Sequence, residues 1–372
     1  MDFIRGLAII LMIWAHLMWW LVDRRIIYVY FGFGSPIDIQ FSYTGFPLFL
    51  HLLANYYPVP VFFILTGISL ILSIENKRSS GISDKKIRKY VIKRTIIILI
   101  ISYFVFNLLI KGPISVFFHS FDMLHLVALG GLITYFLLKF SKKIRLIVAS
   151  IILILSPFIQ VLFNYEEIHY LYPVQGGILS NMLYSGEFPI FPWLFFVIIG
   201  SVIGELLNEA SKNENIIPFL KKISILGIIF IILGGILPIF NYHPFTSFEK
   251  YPCTIPYIVF FTGTVLITLS LTYYFFDYKK KKFGFSKPFI LYGNFSLTIF
   301  IGHYYIGYRL TKILGIYEKF SYSSAGILTF SFYLVCWMFI MFWANYNNSK
   351  LSLEWIMKKI SYRHFKENGK EE

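Results

Sequence analysis

Two residues near the start of the chain have types and a spacing that invite chemistry. They are Arg5 and His16, in the stretch running from Asp2 through Gly6 and Ala8 to Ala15 and His16. Eleven positions at about 100° each make three turns and a little more, so the guanidinium and the imidazole project from one helix face. Their axial separation is about 16.5 Å, which reaches from a helix foot to near the middle of a bilayer's ~30 Å hydrocarbon core. An ionisable side chain at that depth is costly, and so marks a functional candidate; the alternative is a packing histidine bonded to a neighbouring helix. An imidazole so placed can act as a general base or as a nucleophile.

The elements that must position this pair are membrane helices. Of 372 residues, 57% are hydrophobic, 20% aromatic and only 14% charged, and the mean hydropathy is +0.68. That composition excludes a soluble enzyme and predicts an all-α, polytopic integral membrane protein. The net charge of +15 does not mark a nucleic-acid footprint, because the basic residues fall in short runs between apolar segments. Cys253 and Cys336 imply neither a disulfide framework nor a metal cluster, and no metal is expected. The first apolar stretch is followed by no small-residue cleavage site and is read as a retained span.

Apolar length predicts about ten transmembrane helices, over 6–22, 47–73, 95–110, 123–139, 146–163, 190–207, 223–240, 255–276, 289–310 and 325–344. Pro58 and Pro60 are expected to interrupt the second. With an inner N-terminus, 27 of the 34 Lys and Arg residues lie on the inner side and 7 on the outer, which predicts both termini cytoplasmic. The densest basic run, between Glu75 and Arg94, is expected as a cytoplasmic loop. Residues 1–346 form the expected transmembrane domain. Residues 347–372 form a cytoplasmic tail whose Leu351, Leu353, Trp355, Ile356 and Ile360 alternate with lysines, as in an amphipathic helix on the inner leaflet. Gly200 and Gly204 read as a helix-packing pair.

On this topology His16, His51, His125 and His303 all lie between the midplane and the outer surface, on four different helices. Asn55 lies one turn below His51, Asp122 stands at i, i+3 to His125, and Glu187 sits on the same side. Shared depth favours a polar chamber towards the outside. The inner side offers Arg5, Lys93 and Arg94 at helix feet, which suit a phosphorylated donor or anionic lipid. A donor charged at one end and reactive at the other, such as acyl-CoA, matches an inner anion site joined to a mid-membrane histidine.

Several segments together resemble the heparan-alpha-glucosaminide N-acetyltransferase family of membrane acyltransferases, and Arg5 with His16 resembles the wider Arg-x10-His pattern. Asp2-Phe3-Ile4-Arg5-Gly6-Leu7-Ala8 resembles the family's opening Asp-x-x-Arg-Gly-hydrophobic-Ala. Phe62 to Leu70, with Gly67 and Ser69, is similar to its second-helix motif, and Leu124-His125 to its Leu-His motif. Phe188-Pro189-Ile190-Phe191-Pro192-Trp193 with Gly200 and Gly204 resembles Phe-Pro-Leu-x-Pro-Trp…Gly, and Ser296 to His303 resembles Ser-Leu-Thr…His. The animal enzymes of that family carry Asn where this chain has His16, and an Asp before the second-helix proline where this chain has Asn55-Tyr56. Their large luminal N-terminal domain has no counterpart here.

The resemblance implies an acetyltransferase that moves acetyl from cytoplasmic acetyl-CoA to an amine or hydroxyl of an extracytoplasmic glucosamine-type sugar or glycan. Arg5, Lys93 and Arg94 would hold the donor, and His16 would act as base or as transient acetyl carrier. Asp122, His125 and His303 would orient the acceptor or relay a second proton. The expected partners are acetyl-CoA, a sugar acceptor and the lipid bilayer of the cell membrane, with no nucleic acid and with a homodimer left open. The rival class is a transporter or flippase of an anionic or sugar-linked substrate with a histidine proton path; sugar movement without CoA release would identify it.

Overall fold

The computed structural model describes residues 1–23, 46–104, 121–163, 177–240, 242, 245–251, 253–281, 283–347 and 349–367; the side chains of 46–48, 51, 347 and 362–367 lie outside that description. The described residues contain no strand, only an isolated bridge between Val22 and Phe320. Among the described residues, seven helices are long and apolar enough to cross a membrane. The protein is all-α and polytopic. The fourth expected span is a helix of 15 residues, the ninth is broken into pieces, and the third reaches residues 105–110, which lie outside the described residues.

The chain forms two compact units, 1–58 with 281–358, and 59–280 with 359–372. In the first, α1 (Asp2–Leu21) packs on α10 (Ser286–Asn294) with almost no side chain between them. A Cβ on Gly6 would stand 1.7 Å from the Phe289 carbonyl oxygen, and one on Gly293 2.0 Å from that of Asp2. Phe3 fills the flank against Phe289, ring centroids 5.0 Å apart. The helix α2 (Phe46–Tyr56) ends where expected, just ahead of Pro58, which begins α3 (Pro58–Ser79). The ninth expected span breaks at Phe295; α11 (Ser296–His303) then continues as a π-helical turn, Tyr304–Arg309. Beside α1, α12 (Tyr322–Asn347) donates a hydrogen bond from the Tyr333 hydroxyl to the Ile10 carbonyl, 2.6 Å.

The expected amphipathic tail is helical as α13 (Leu353–Glu367), and its first turn caps another helix. Glu354 Oε1 accepts from the Leu297 and Thr298 amides at 2.6 and 3.0 Å, and Oε2 from the Thr298 hydroxyl at 2.5 Å. The break at Phe295 leaves those amides without partners in their own helix, and a carboxylate there also meets the positive end of the helix dipole.

In the second unit, the run expected as a basic loop from Glu75 to Arg94 is mostly helix. Lys77 and Arg78 end α3, and α4 (Asp84–Ile100) begins at Asp84, so Lys85 to Arg94 lie on it. The reason is a stripe of Ile87, Val91, Thr95 and Ile98 at helical spacing, the first two of which bury against Leu70 and Ile74 of α3. The unit continues through α5 (Met123–Leu137), α6 (Lys142–Leu162), α7 (Ile190–Lys212), α8 (Ile216–Ile236) and α9 (Ile255–Thr272). Charges gather at helix ends: Lys142 bonds Glu209 at 2.6 Å, and buried Arg145 pairs with Glu205.

Burial separates central helices from lipid-facing ones. The apolar window of α7 is 78% buried, whereas those of α8 and α12 are each 17% buried. Exposed Ile225, Ile228, Ile229 and Ile232 on α8, and Phe330, Leu334, Met338 and Phe342 on α12, would be a liability in water but suit hydrocarbon. The central position of α7 rests on small residues: a Cβ on Gly200 would meet the Ile64 carbonyl oxygen at 2.1 Å, and one on Gly67 that of Val197 at 2.1 Å. Backbone cannot retreat as a side-chain tip can. Gly200→Ala is therefore expected to lower stability by about 1–3 kcal/mol, read as a lower thermal midpoint in detergent. Gly235→Ala on α8, where nothing described lies within 4 Å, should leave that midpoint unchanged or raise it.

Candidate active site

His16 projects from the middle of α1 and meets His303 at the end of α11. The rings stack nearly parallel, 4° between planes and centroids 5.2 Å apart, with His16 Nδ1 2.9 Å from His303 Nε2. One backbone contact fixes the proton positions. His303 Nδ1 lies 3.0 Å from the Ile299 carbonyl oxygen, an acceptor only, so Nδ1 carries the proton and Nε2 of the neutral ring has a lone pair. His16 Nδ1 must then donate to it. What remains on His16 is a lone pair on Nε2, the form a general base requires.

That nitrogen has a neighbour that sequence reasoning missed. The Tyr304 hydroxyl is 3.2 Å from His16 Nε2. Consecutive residues on an α-helix diverge by about 100°, so His303 and Tyr304 would not be expected to share a partner. The π-helical turn that begins at Tyr304 has more residues per turn and brings the two side chains closer in angle. Trp20, one turn beyond His16, was missed too. It stacks on His16 at 5.6 Å and on His303 at 5.8 Å, and meets Tyr304 edge-on at 5.1 Å. Four-residue spacing from His16 is the one signal in the sequence that could have flagged it. His303 is fully buried, whereas His16 and Tyr304 are partly open.

Apart from Arg5, the other expected site residues lie on other elements. At the foot of α1, Arg5 pairs with Asp2 at 2.9 Å. Asp122 and His125 belong to the second unit and open α5 as a reciprocal capping box: the Asp122 side chain accepts from the helix backbone, and His125 Nδ1 accepts from the Asp122 amide at 3.0 Å. His125 is wholly buried, edge-on to Tyr103 at 4.2 Å, with Ser102 Oγ 3.3 Å from Nε2. Capping accounts for an acid and a histidine at that spacing without a reacting partner. Arg94 on α4 lines a cavity of about 30 Å³ with the polar side chains of Thr66, Tyr90 and Thr95 and the small residues Ala128 and Gly131. What Arg94 offers there is one cation among hydroxyls. Lys93, the neighbouring residue on the helix, is not part of that lining. The side chain of His51 lies outside the described residues.

A second polar group in the second unit lies in the segment joining α8 and α9. Burial pushes the Lys250 ammonium down to about 8, opposed by the nearby Glu187 carboxylate, and pushes the Cys253 thiol up. Lys250 Nζ also lies 4.9 Å from the centre of the Tyr251 ring, and Tyr251 packs on Phe188 of the Phe-Pro segment at 5.9 Å. No group of three or more His, Cys, Asp or Glu side chains that could hold a metal occurs among the described residues.

Comparison with known proteins bears on this geometry. No curated protein matches the chain. Residues 1–245 match the family described as heparan-alpha-glucosaminide N-acetyltransferase, catalytic. The match takes in α1 with His16, the α3 and α7 glycines and the capped start of α5, and stops short of His303. The chain belongs to the heparan-alpha-glucosaminide N-acetyltransferase catalytic family.

Proposed function

We propose that this membrane acyltransferase takes acetyl from acetyl-CoA on the cytoplasmic face and transfers it to an amine, or a hydroxyl, of a glucosamine-type sugar or glycan on the other face. The observation that carries the reading is the proton order at the paired histidines. His303 holds its proton towards Ile299, His16 donates to His303, and His16 Nε2 is left as the basic atom of a partly open cluster. Acetyl transfer to an amine or hydroxyl needs one such base to take the proton that the acceptor loses. His303 serves as the orienting partner. Arg5, Lys93 and Arg94 are the cations proposed to hold the donor's phosphates, each charge-assisted contact adding to binding. Asp122 and His125 are proposed to shape the acceptor's surroundings through the cap they form on α5.

Purified protein given labelled acetyl-CoA and a panel of amino sugars tests the class of reaction; release of CoA with acetylated sugar supports it, and neither product counts against it. His16→Ala is expected to lower kcat by about 10²-fold or more, with acetyl-CoA binding retained in a filter or calorimetric assay. Activity near wild type would return His16 to a packing role. Arg94→Gln is expected to raise the KM for acetyl-CoA by an amount equal to about 1.5–3 kcal/mol, the cost of a lost charged hydrogen bond. An unchanged KM would confine Arg94 to helix packing. In sealed proteoliposomes, product should form only with acetyl-CoA on the face bearing the termini and a membrane-impermeant amino sugar on the opposite face. Product that requires both on one face would refute transfer across the membrane while leaving the reaction class intact.

A further inference from the structure

His16 is not the outermost group of its own hydrogen-bonded chain. His303 is fully buried, with both nitrogens engaged, Nδ1 by Ile299 and Nε2 by His16. His16 has Nδ1 engaged by His303, so its lone pair is on Nε2, where the Tyr304 hydroxyl stands 3.2 Å away. The direction follows from that order: an imidazole lone pair accepts, so the phenol donates. The Tyr304 oxygen still has lone pairs of its own, and its side chain is partly open. Trp20, buried, walls one side of both Tyr304 and His16. Beyond Trp20 lies Tyr308, ring centroids 5.7 Å apart, whose hydroxyl accepts from Lys312 Nζ at 2.6 Å. Aromatic contacts thus run from Lys312, a cation of an expected outer loop, through Tyr308 and the buried Trp20 to Tyr304.

We infer that Tyr304 is the catalytic residue that meets the acceptor, its hydroxyl forming the partly exposed outer member of a relay whose inner members are His16 and His303. The inference rests on the acetyl-transfer reading above and changes which atom touches the acceptor. As the acceptor nitrogen or oxygen bonds to the thioester carbonyl carbon, it gives its proton to Tyr304 Oη while the phenol proton passes to His16 Nε2. The carbon–sulfur bond then breaks with its electron pair on sulfur. The proton returns from His16 through Tyr304 to the thiolate, which leaves as a thiol. Nothing is oxidised or reduced, and no reactant beyond donor and acceptor is consumed. The π-helical turn at Tyr304 is what allows neighbouring residues to hold the two ends of one imidazole.

The test compares full-length wild type, Tyr304→Phe, and protein carrying 3-fluorotyrosine at 304, with acetyl-CoA and glucosamine as substrates. Tyr304→Phe should lower kcat by about 10²-fold while leaving the KM for acetyl-CoA within about twofold. Fluorine acidifies the phenol and keeps the hydroxyl. Because the relay works with the phenol protonated, the alkaline limb of the kcat profile should move to lower pH. A hydroxyl that merely donates to His16 must be protonated as well and would move that limb too. The proton inventory of kcat separates the two roles, curved for the two moving protons of the relay and linear for positioning alone. The assignment is overturned if Tyr304→Phe keeps kcat within about threefold of wild type, if the fluorinated protein has the wild-type profile, or if the inventory is linear. Should Tyr304→Phe not fold, the fluorinated protein and the inventory decide. Wild type that acetylates no amino sugar from acetyl-CoA would sink the acetyl-transfer reading and this assignment with it, so wild-type activity separates the two failures.

Discussion

The hydrogen bond from His303 Nδ1 to the Ile299 carbonyl, one helical turn back, sets the chemistry of everything attached to it. In hydrocarbon there is no water to supply an alternative partner, so a buried ring nitrogen keeps the contact it has. Several Ser and Thr hydroxyls of this protein donate to carbonyls one turn back in the same way, as Thr262 does to Ile258 at 2.7 Å and Thr311 to Gly307 at 2.6 Å. Those bonds end with the backbone. The bond at His303 instead transmits a preference, because imidazole has a second nitrogen whose role is the complement of the first. A backbone carbonyl thereby decides which atom of a different helix is basic.

For that to work, α1 and the α10–α11 segment must keep their register to a few tenths of an ångström. The contacts between them near the foot are between backbones. Gly6 and Gly293 let α1 and α10 touch at carbonyls, with no rotamer to hop. The break at Phe295 then re-aims α11, and Glu354 satisfies the amides that the break exposes. In the second unit the same device, small residues against carbonyls, holds α7 against α3 and α8 against α9; there a Cβ on Gly263 would meet the Gly227 carbonyl oxygen at 2.5 Å. Close approach without side chains thus serves both units, and in the first it doubles as the alignment of the catalytic candidates.

Much of this was legible in the sequence. Helix class, an apolar first helix, the break before Pro58 and a helical tail follow from hydropathy and from where proline can sit. His16 and His303 could each be picked out by depth, but their contact could not, since 287 positions separate them and no local rule pairs α1 with α11. Tyr304 was hidden for a different reason. Helical geometry at 3.6 residues per turn sends it away from the partner of His303, and the wider turn that brings it back has no sequence signature. For Asp122 and His125, spacing put the two on one face, and the contact they make there is a capping box, which spans the same three residues. The basic run after Glu75 was expected as loop because charge was weighed and the stripe beneath it, Ile87, Val91 and Ile98, was not.

The cap on α11 has a consequence for the order in which the protein can assemble. Glu354 is synthesised 51 residues after His303 and 338 residues after His16. Until the tail emerges, the Leu297 and Thr298 amides lack the carboxylate that receives them in the folded chain. The first helix must therefore wait in the bilayer, its imidazole without its eventual partner, while the 287 residues that lead to His303 are made. A chain that stops short of Glu354 can insert every long apolar helix and still lack the group that closes the N-terminus of α11, so insertion and completion of the histidine pair are separable events in its biogenesis.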